Sequence, residues 1–166
     1  MTIFRNEVAA AGRDGQDLTY IMIDIDHYKK YNDTYGHYEG DRVLQQIGAS
    51  IKWFAADSGG MVFRLGGEEF GIILSGVDAE EACAYAEHIR SSVEKLGIEH
   101  AASPPYGVVT VSVGVAAVKV EGLREEDIYK LADNALYQSK AAGRNRVTLL
   151  ENRTGVLEQE PGSTES

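Results

Sequence analysis

The residues best suited to chemistry fall into two acidic groups. Glu68 and Glu69 follow Gly66-Gly67 and lie between the apolar stretches Met61-Val62-Phe63 and Gly71-Ile72-Ile73-Leu74. Both stretches read as short buried strands, which puts the glycines at a tight hairpin turn. Glycine takes positive φ there and lets another molecule approach the backbone closely. The second group is Asp24, near the end of the almost continuously apolar run Leu18–Ile25. Such a run marks a central strand covered on both faces, where an acid serves no packing purpose. If the two strands are neighbours, Asp24, Glu68 and the backbone carbonyl of Ile25 offer hard oxygen ligands to Mg²⁺, with Mn²⁺ the alternative. A carboxylate-lined site of this kind is completed by substrate phosphates, and two metals in it activate an attacking oxygen and neutralise a leaving pyrophosphate.

Cations and base-reading groups complete the pattern. Lys29 and the backbone N–H groups of the helix start after Asp26 are placed to meet phosphates. Lys140 and Arg144 lie four residues apart across the end of a helix and add positive charge. Asn32 and Asp41 can read a base edge, the acid accepting from N–H donors such as guanine offers. Each has a plainer reading as well. Asp41 suits a first-turn helix acid, Lys140 and Arg144 suit cations at a helix C-terminus, Lys29 suits a solvated lysine, and the double-glycine acidic tip suits a solvated turn. His27, His37, His88 and His100 show no ligand spacing, and Cys83 falls on the apolar side of a helical pattern. The weight of the pattern is joint.

The elements that must hold these groups follow from periodicity. Val43, Leu44, Ile47, Ile51 and Phe54 form the buried stripe of a helix over about Tyr38–Phe54. Asp78 caps a second helix to about Leu96, with Ala82, Ala86, Ile89 and Val93 inward. In Val109–Val115 the valines alternate with small residues, predicting a strand whose small-residue face lies against a helix. A helix over 124–142 buries Ile128, Leu131, Ala132, Ala135 and Leu136, and Gly143 stops it. Val147–Leu150 is a last strand. The order β-α-α-β-β-α-β-α-β predicts an α+β, ferredoxin-like fold: one mostly antiparallel sheet with helices packed on it.

A chain of 166 residues suits one domain, and its net charge of −10 argues against a nucleic-acid-binding face while leaving room for a small nucleotide held with a divalent metal. One cysteine excludes an intramolecular disulfide framework. The absence of a signal peptide or bilayer-length apolar run points to a soluble, cytoplasmic chain without membrane contact.

Four blocks now make the chain resemble a GGDEF-domain diguanylate cyclase: Asp24-Ile25-Asp26-His27-Tyr28-Lys29; Asn32 through Asp41; Arg64-Leu65-Gly66-Gly67-Glu68-Glu69-Phe70, the signature in its Glu-Glu form; and Ala132–Tyr137 with Lys140, Gly143, Arg144 and Asn145. The match runs in order from Leu18 to about Leu150. The resemblance implies synthesis of cyclic di-GMP from two GTP molecules on a fold similar to the palm of nucleotidyl cyclases and polymerases. Asp24, the Ile25 carbonyl and Glu68 would bind Mg²⁺, and Asn32 and Asp41 would read guanine. Lys29, Lys140 and Arg144 would hold the triphosphate, and Gly66 and Gly67 would let the nucleotide lie against the hairpin. Glu69 is the candidate for assisting deprotonation of the ribose 3′-hydroxyl. Asp41 favours GTP over ATP. Each domain holds one GTP, so the working enzyme is expected to be a homodimer, at least transiently.

Two departures from the family pattern carry expectations. Asp57-Ser58-Gly59-Gly60 stands where an inhibitory Arg-x-x-Asp belongs, so tight product feedback there is not expected. The usual opening stretch is not found, so residues 1–150 read as an N-terminally truncated catalytic domain whose sensory or dimerising segment lies upstream, and 151–166 as a disordered tail. The alternative reading is a weak or inactive regulatory module that binds GTP or cyclic di-GMP. An acidic interaction domain without a nucleotide leaves the double-glycine tip unexplained.

Overall fold

The strand that organises the chain, β1 (Asp17–Ile25), is the centre of a computed structural model that describes residues 17–119 and 125–152. Its side chains alternate between two cores. Ile21, Ile23 and Ile25 join one, and Leu18, Tyr20 and Met22 join the other. Burial on both faces explains why this strand is apolar at almost every position. At about 1.5–3 kcal/mol per large side chain withdrawn from water, it anchors both cores.

The remaining elements, in order, are α1 (Tyr28–Tyr35), α2 (His37–Ser58), β2 (Met61–Gly66), β3 (Glu69–Ser75), α3 (Ala79–Lys95), β4 (Val111–Lys119), α4 (Glu125–Ala141) and β5 (Val147–Asn152). The sheet runs β2-β3-β1-β4-β5, antiparallel throughout except for the parallel β4–β5 pair. The first four strands have the ferredoxin-like arrangement, in which a hairpin strand inserts between the two strands of a crossover unit. The α+β expectation stands, and β5 extends it at one edge.

One face of the sheet is covered by α2 and α3. Val43, Leu44, Ile47 and Ile51 from α2 and Ala82, Ala86, Ile89 and Val93 from α3 pack there as their spacing requires, while Phe54 is half-buried. The Asp78 side chain accepts the Glu81 N–H at 2.7 Å and caps α3. The other face is covered by α4 through Ile128, Leu131, Ala132 and Leu136. The small-residue strand does what its pattern predicts. A Cβ on Gly114 would lie 2.3 Å from the Leu136 nitrogen and 2.5 Å from the Ala132 carbonyl oxygen, so α4 seats directly on the sheet backbone.

Several bounds differ from expectation. Helix α2 continues through Ser58 before Gly59 ends it in the left-handed conformation. Strand β4 lies later, because Val109 and Thr110 form the approach to it, and β5 continues two residues beyond Leu150 to Asn152. Strand β2 is a correction. Both hairpin strands read as buried, but β2 is the sheet edge and alternates between half-buried and exposed, leaving only β3 enclosed. Residues 1–16 and 153–166, hence the truncated start and nearly all of the expected tail, lie outside the described residues. No helix among the described residues is long and apolar enough to cross a membrane.

Candidate active site

Register decides where the acids meet. Asp24 is the cross-strand partner of Glu69, and the Ile25 N–H reaches the Glu68 carbonyl oxygen at 3.3 Å. Asp24, Ile25 and Glu68 therefore lie beside one another where β1 meets the hairpin. The turn is shaped by Gly66 at φ 142° and Gly67 at φ 49°, with a register shift between Arg64 and Gly66. These values favour glycine. Arg64 folds back over the tip, its Nε and Nη2 donating to the Gly67 carbonyl at 3.1 and 2.6 Å. The hairpin end is fixed by its own side chain.

The parity of β1 puts Asp24 on the face covered by α4, and Lys140 in the last turn of that helix reaches it, Nζ to Oδ2 at 2.5 Å. Burial pushes the Asp24 carboxyl up to about 6, against the lowering influence of Lys140 and with the charges of Glu68 and Glu69 adding to the rise. Asp24 thus has one ammonium partner, while the negative charges of Glu68 and Glu69 act on it from the hairpin. That excess of negative charge on oxygen donors fits a divalent cation. Among the described residues, no three His, Cys, Asp or Glu side chains group as a self-sufficient metal site. A cation held here would need the Ile25 carbonyl and further oxygens to complete its shell.

The other expected residues divide between places. Asn32 on α1 packs against Gly40 on α2, its Oδ1 buried and without a hydrogen-bond partner. Asp41 follows Gly40 and is exposed, on the rim of a cleft of about 680 Å³ between α2 and β2 that Leu44, Phe63, Arg64 and Phe70 also line. Lys29 is exposed on α1. Arg144 lies beyond α4 with Nη1 3.9 Å from Asp26 Oδ1. Both Lys140 and Arg144, expected to face phosphate, here face carboxylates.

Asp26 is the residue that sequence reasoning passed over. It is 1% exposed and accepts from Thr110 Oγ1 at 2.7 Å, Ser112 Oγ at 2.6 Å and the Asn145 N–H at 3.1 Å. Its own N–H donates to the Thr110 carbonyl. This knot ties β1, the start of β4 and the loop after α4. In that loop Arg144 and Asn145 both take positive φ, 65° and 48°, a conformation that costs non-glycine residues energy unless surroundings impose it. Asn145 is held further by Arg90, Nη1 to Oδ1 at 2.6 Å, and by donation from Nδ2 to Glu94 at 2.9 Å. The available signal was Thr110 and Ser112, polar residues two apart on a buried strand.

Comparison with known proteins agrees with this fold. The family model for "Diguanylate cyclase, GGDEF domain" matches residues 2–146, and the chain belongs to the GGDEF family. It is 41% identical over 155 residues to the probable diguanylate cyclase DgcT of Escherichia coli K12, covering 88% of this chain and 32% of that protein. The coiled coil and GGDEF domain of DgcB from Caulobacter crescentus, solved in complex with c-di-GMP, superposes with a TM-score of 0.81 at 33% identity, covering 90% of this chain and 78% of that one. The active GGEEF domain of a diguanylate cyclase from Vibrio cholerae gives 0.76 at 36%, covering 89% and 92%. The chain spans about a third of the length of the curated relatives it matches.

Proposed function

We propose that this chain is the catalytic domain of a diguanylate cyclase, condensing two GTP molecules into cyclic di-GMP. The observation that carries this reading is the meeting of Asp24, Ile25 and Glu68 where β1 joins the hairpin, with the Asp24 carboxyl held above its ordinary range by burial and by the neighbouring acids. Membership of the GGDEF family supports it.

Asp24, the Ile25 carbonyl and Glu68 would hold Mg²⁺, with Mn²⁺ an alternative in the same oxygen set. When bound, the metal supplies charge neutralisation at the phosphates and lowers the cost of forming an alkoxide. The chain's own groups bind and orient the substrate. Asn32 and Asp41 take the guanine edge, and the hydrogen-only surface of Gly66 and Gly67 lets the nucleotide lie against the hairpin. Lys29 and Arg144 meet the phosphates, and Lys140 exchanges Asp24 for phosphate oxygens. Glu69 accepts the proton of the ribose 3′-hydroxyl. That oxygen bonds to the α-phosphorus of the second GTP, the bond to the β-phosphate oxygen breaks, and pyrophosphate leaves in line. The second hydroxyl does the same in return, so the reaction needs two such domains face to face in a homodimer.

Incubation with GTP and Mg²⁺ at high protein concentration is expected to yield cyclic di-GMP or its linear intermediate. Glu68→Gln is expected to lower that yield by about a hundredfold or more. Wild-type turnover in Glu68→Gln would remove the metal assignment, and no product from a chain extended to its upstream segment would favour a binding module.

A further inference from the structure

Gly40 lies in the first turns of α2 with ordinary helical φ, so no turn requires a glycine. In such a position glycine costs about 0.8–1 kcal/mol of helix stability relative to alanine. Its surroundings supply the reason for it. A Cβ on Gly40 would lie 1.5 Å from Asn32 Oδ1, 2.7 Å from Asn32 Cγ and 3.3 Å from the Tyr28 hydroxyl. The carboxamide of Asn32 occupies the volume that any other side chain at 40 would fill.

Tyr28 closes the arrangement from the other side. Its hydroxyl donates to the Gly40 carbonyl at 2.8 Å, tying α1 to α2 at this point. Burial raises the Tyr28 phenol above its ordinary value, and its hydroxyl, 3.3 Å from where a Cβ at 40 would stand, borders both the volume that the Asn32 carboxamide fills and the backbone beside Asp41.

We infer that Gly40 and the Tyr28 hydroxyl are positioning groups for base selection, holding the Asn32 carboxamide and Asp41 in the fixed relation that guanine recognition needs. This rests on the reading of Asn32 and Asp41 as guanine-contacting residues. Neither Gly40 nor Tyr28 need touch the base. A site built to hydrogen-bond a polar edge discriminates strongly only while its own groups are held in place. The carboxamide is the free end of a side chain, so an alanine at 40 would displace it without unseating either helix.

The test is calorimetric binding of GTP and of ATP to the full chain, together with thermal unfolding. Gly40→Ala is expected to weaken GTP binding about tenfold or more, to leave ATP binding nearly unchanged and to leave Tm equal or higher. Tyr28→Phe is expected to weaken GTP about three- to fivefold through loss of one hydrogen bond. In an Asn32→Ala background, Gly40→Ala is expected to cost little more, because the carboxamide it displaces is gone. A wild-type ratio of GTP to ATP affinity in Gly40→Ala, or full additivity with Asn32→Ala, overturns the inference and leaves the guanine reading intact. Absence of any preference for GTP in the unsubstituted chain removes the guanine reading itself and the inference with it. Should Gly40→Ala fail to fold, the inference has misjudged the freedom of Asn32 and is wrong.

Discussion

Asp24 and Asp26 leave the same strand end two residues apart, both buried, and meet opposite surroundings. Asp26 accepts from two hydroxyls and a backbone amide, with Arg144 at 3.9 Å. Asp24 has one ammonium and two further carboxylates for company, and its own carboxyl is raised to about 6. Buried polar groups that are fully partnered hold structure together, whereas one left short of compensation marks a place where something else is meant to bind. By that measure Asp26 belongs to the scaffold and Asp24 to the candidate site. The difference comes from direction: β1 delivers Asp24 toward α4 and the hairpin, and the chain then turns so that Asp26 faces the approach to β4.

The contrast is most exposed to test at Asp26. Asp26→Ala strands the Thr110 and Ser112 hydroxyls and the Asn145 amide, and is expected to destabilise the fold by about 3 kcal/mol or more in urea unfolding. Wild-type stability in that variant would erase the distinction. Asp24→Asn is expected to do the reverse, leaving stability at pH 7 unchanged or higher while cyclic di-GMP formation falls by about a hundredfold. An unstable but active Asp24→Asn protein would exchange the two roles.

A smaller effect sharpens the comparison through pH. Because the folded state holds the Asp24 proton more tightly than the unfolded chain does, its ionisation penalises the fold fully above about pH 6. The penalty fades as pH falls toward the ordinary aspartate value of 3.8. In chelator-treated protein, the stability advantage of Asp24→Asn over wild type is thus expected to shrink by about 1–2 kcal/mol between pH 7 and pH 4. Parallel pH profiles for the two proteins would show that burial does not strain Asp24.

Much of the fold was legible because its periods are clean. The continuous apolar run of β1 and the stripes of α2, α3 and α4 each point to one packing solution. The exposure of β2 was not legible, since Met61-Val62-Phe63 looks as buried as a central strand and only pairing shows that it lies at the edge. Within the site, the meeting of Asp24 with the hairpin followed from an acid ending one strand and an acid at the tip of the next. The knot around Asp26 did not. Its partners Thr110 and Ser112 are 84 and 86 residues away, and on a strand of valines they look like small residues chosen for packing. Likewise, Lys140 and Asp24 are separated by 116 residues, and nothing local announces that they pair. Asn32 and Asp41 were legible as a base-reading pair, and the contact through Gly40 appears only once α1 and α2 are seen together.

The bare backbone at Gly114 has a reach beyond its own neighbourhood. Because α4 rests on it at Ala132 and Leu136, the height of that helix above the sheet fixes how far the lysine one turn later extends. A single methyl group at position 114 would jack the helix upward and draw the ammonium away from its acid. The proton on Asp24 would then be held to a higher pH by a substitution that never touches it. The charge state of Asp24 is thereby set in part from underneath, by the thickness of one strand.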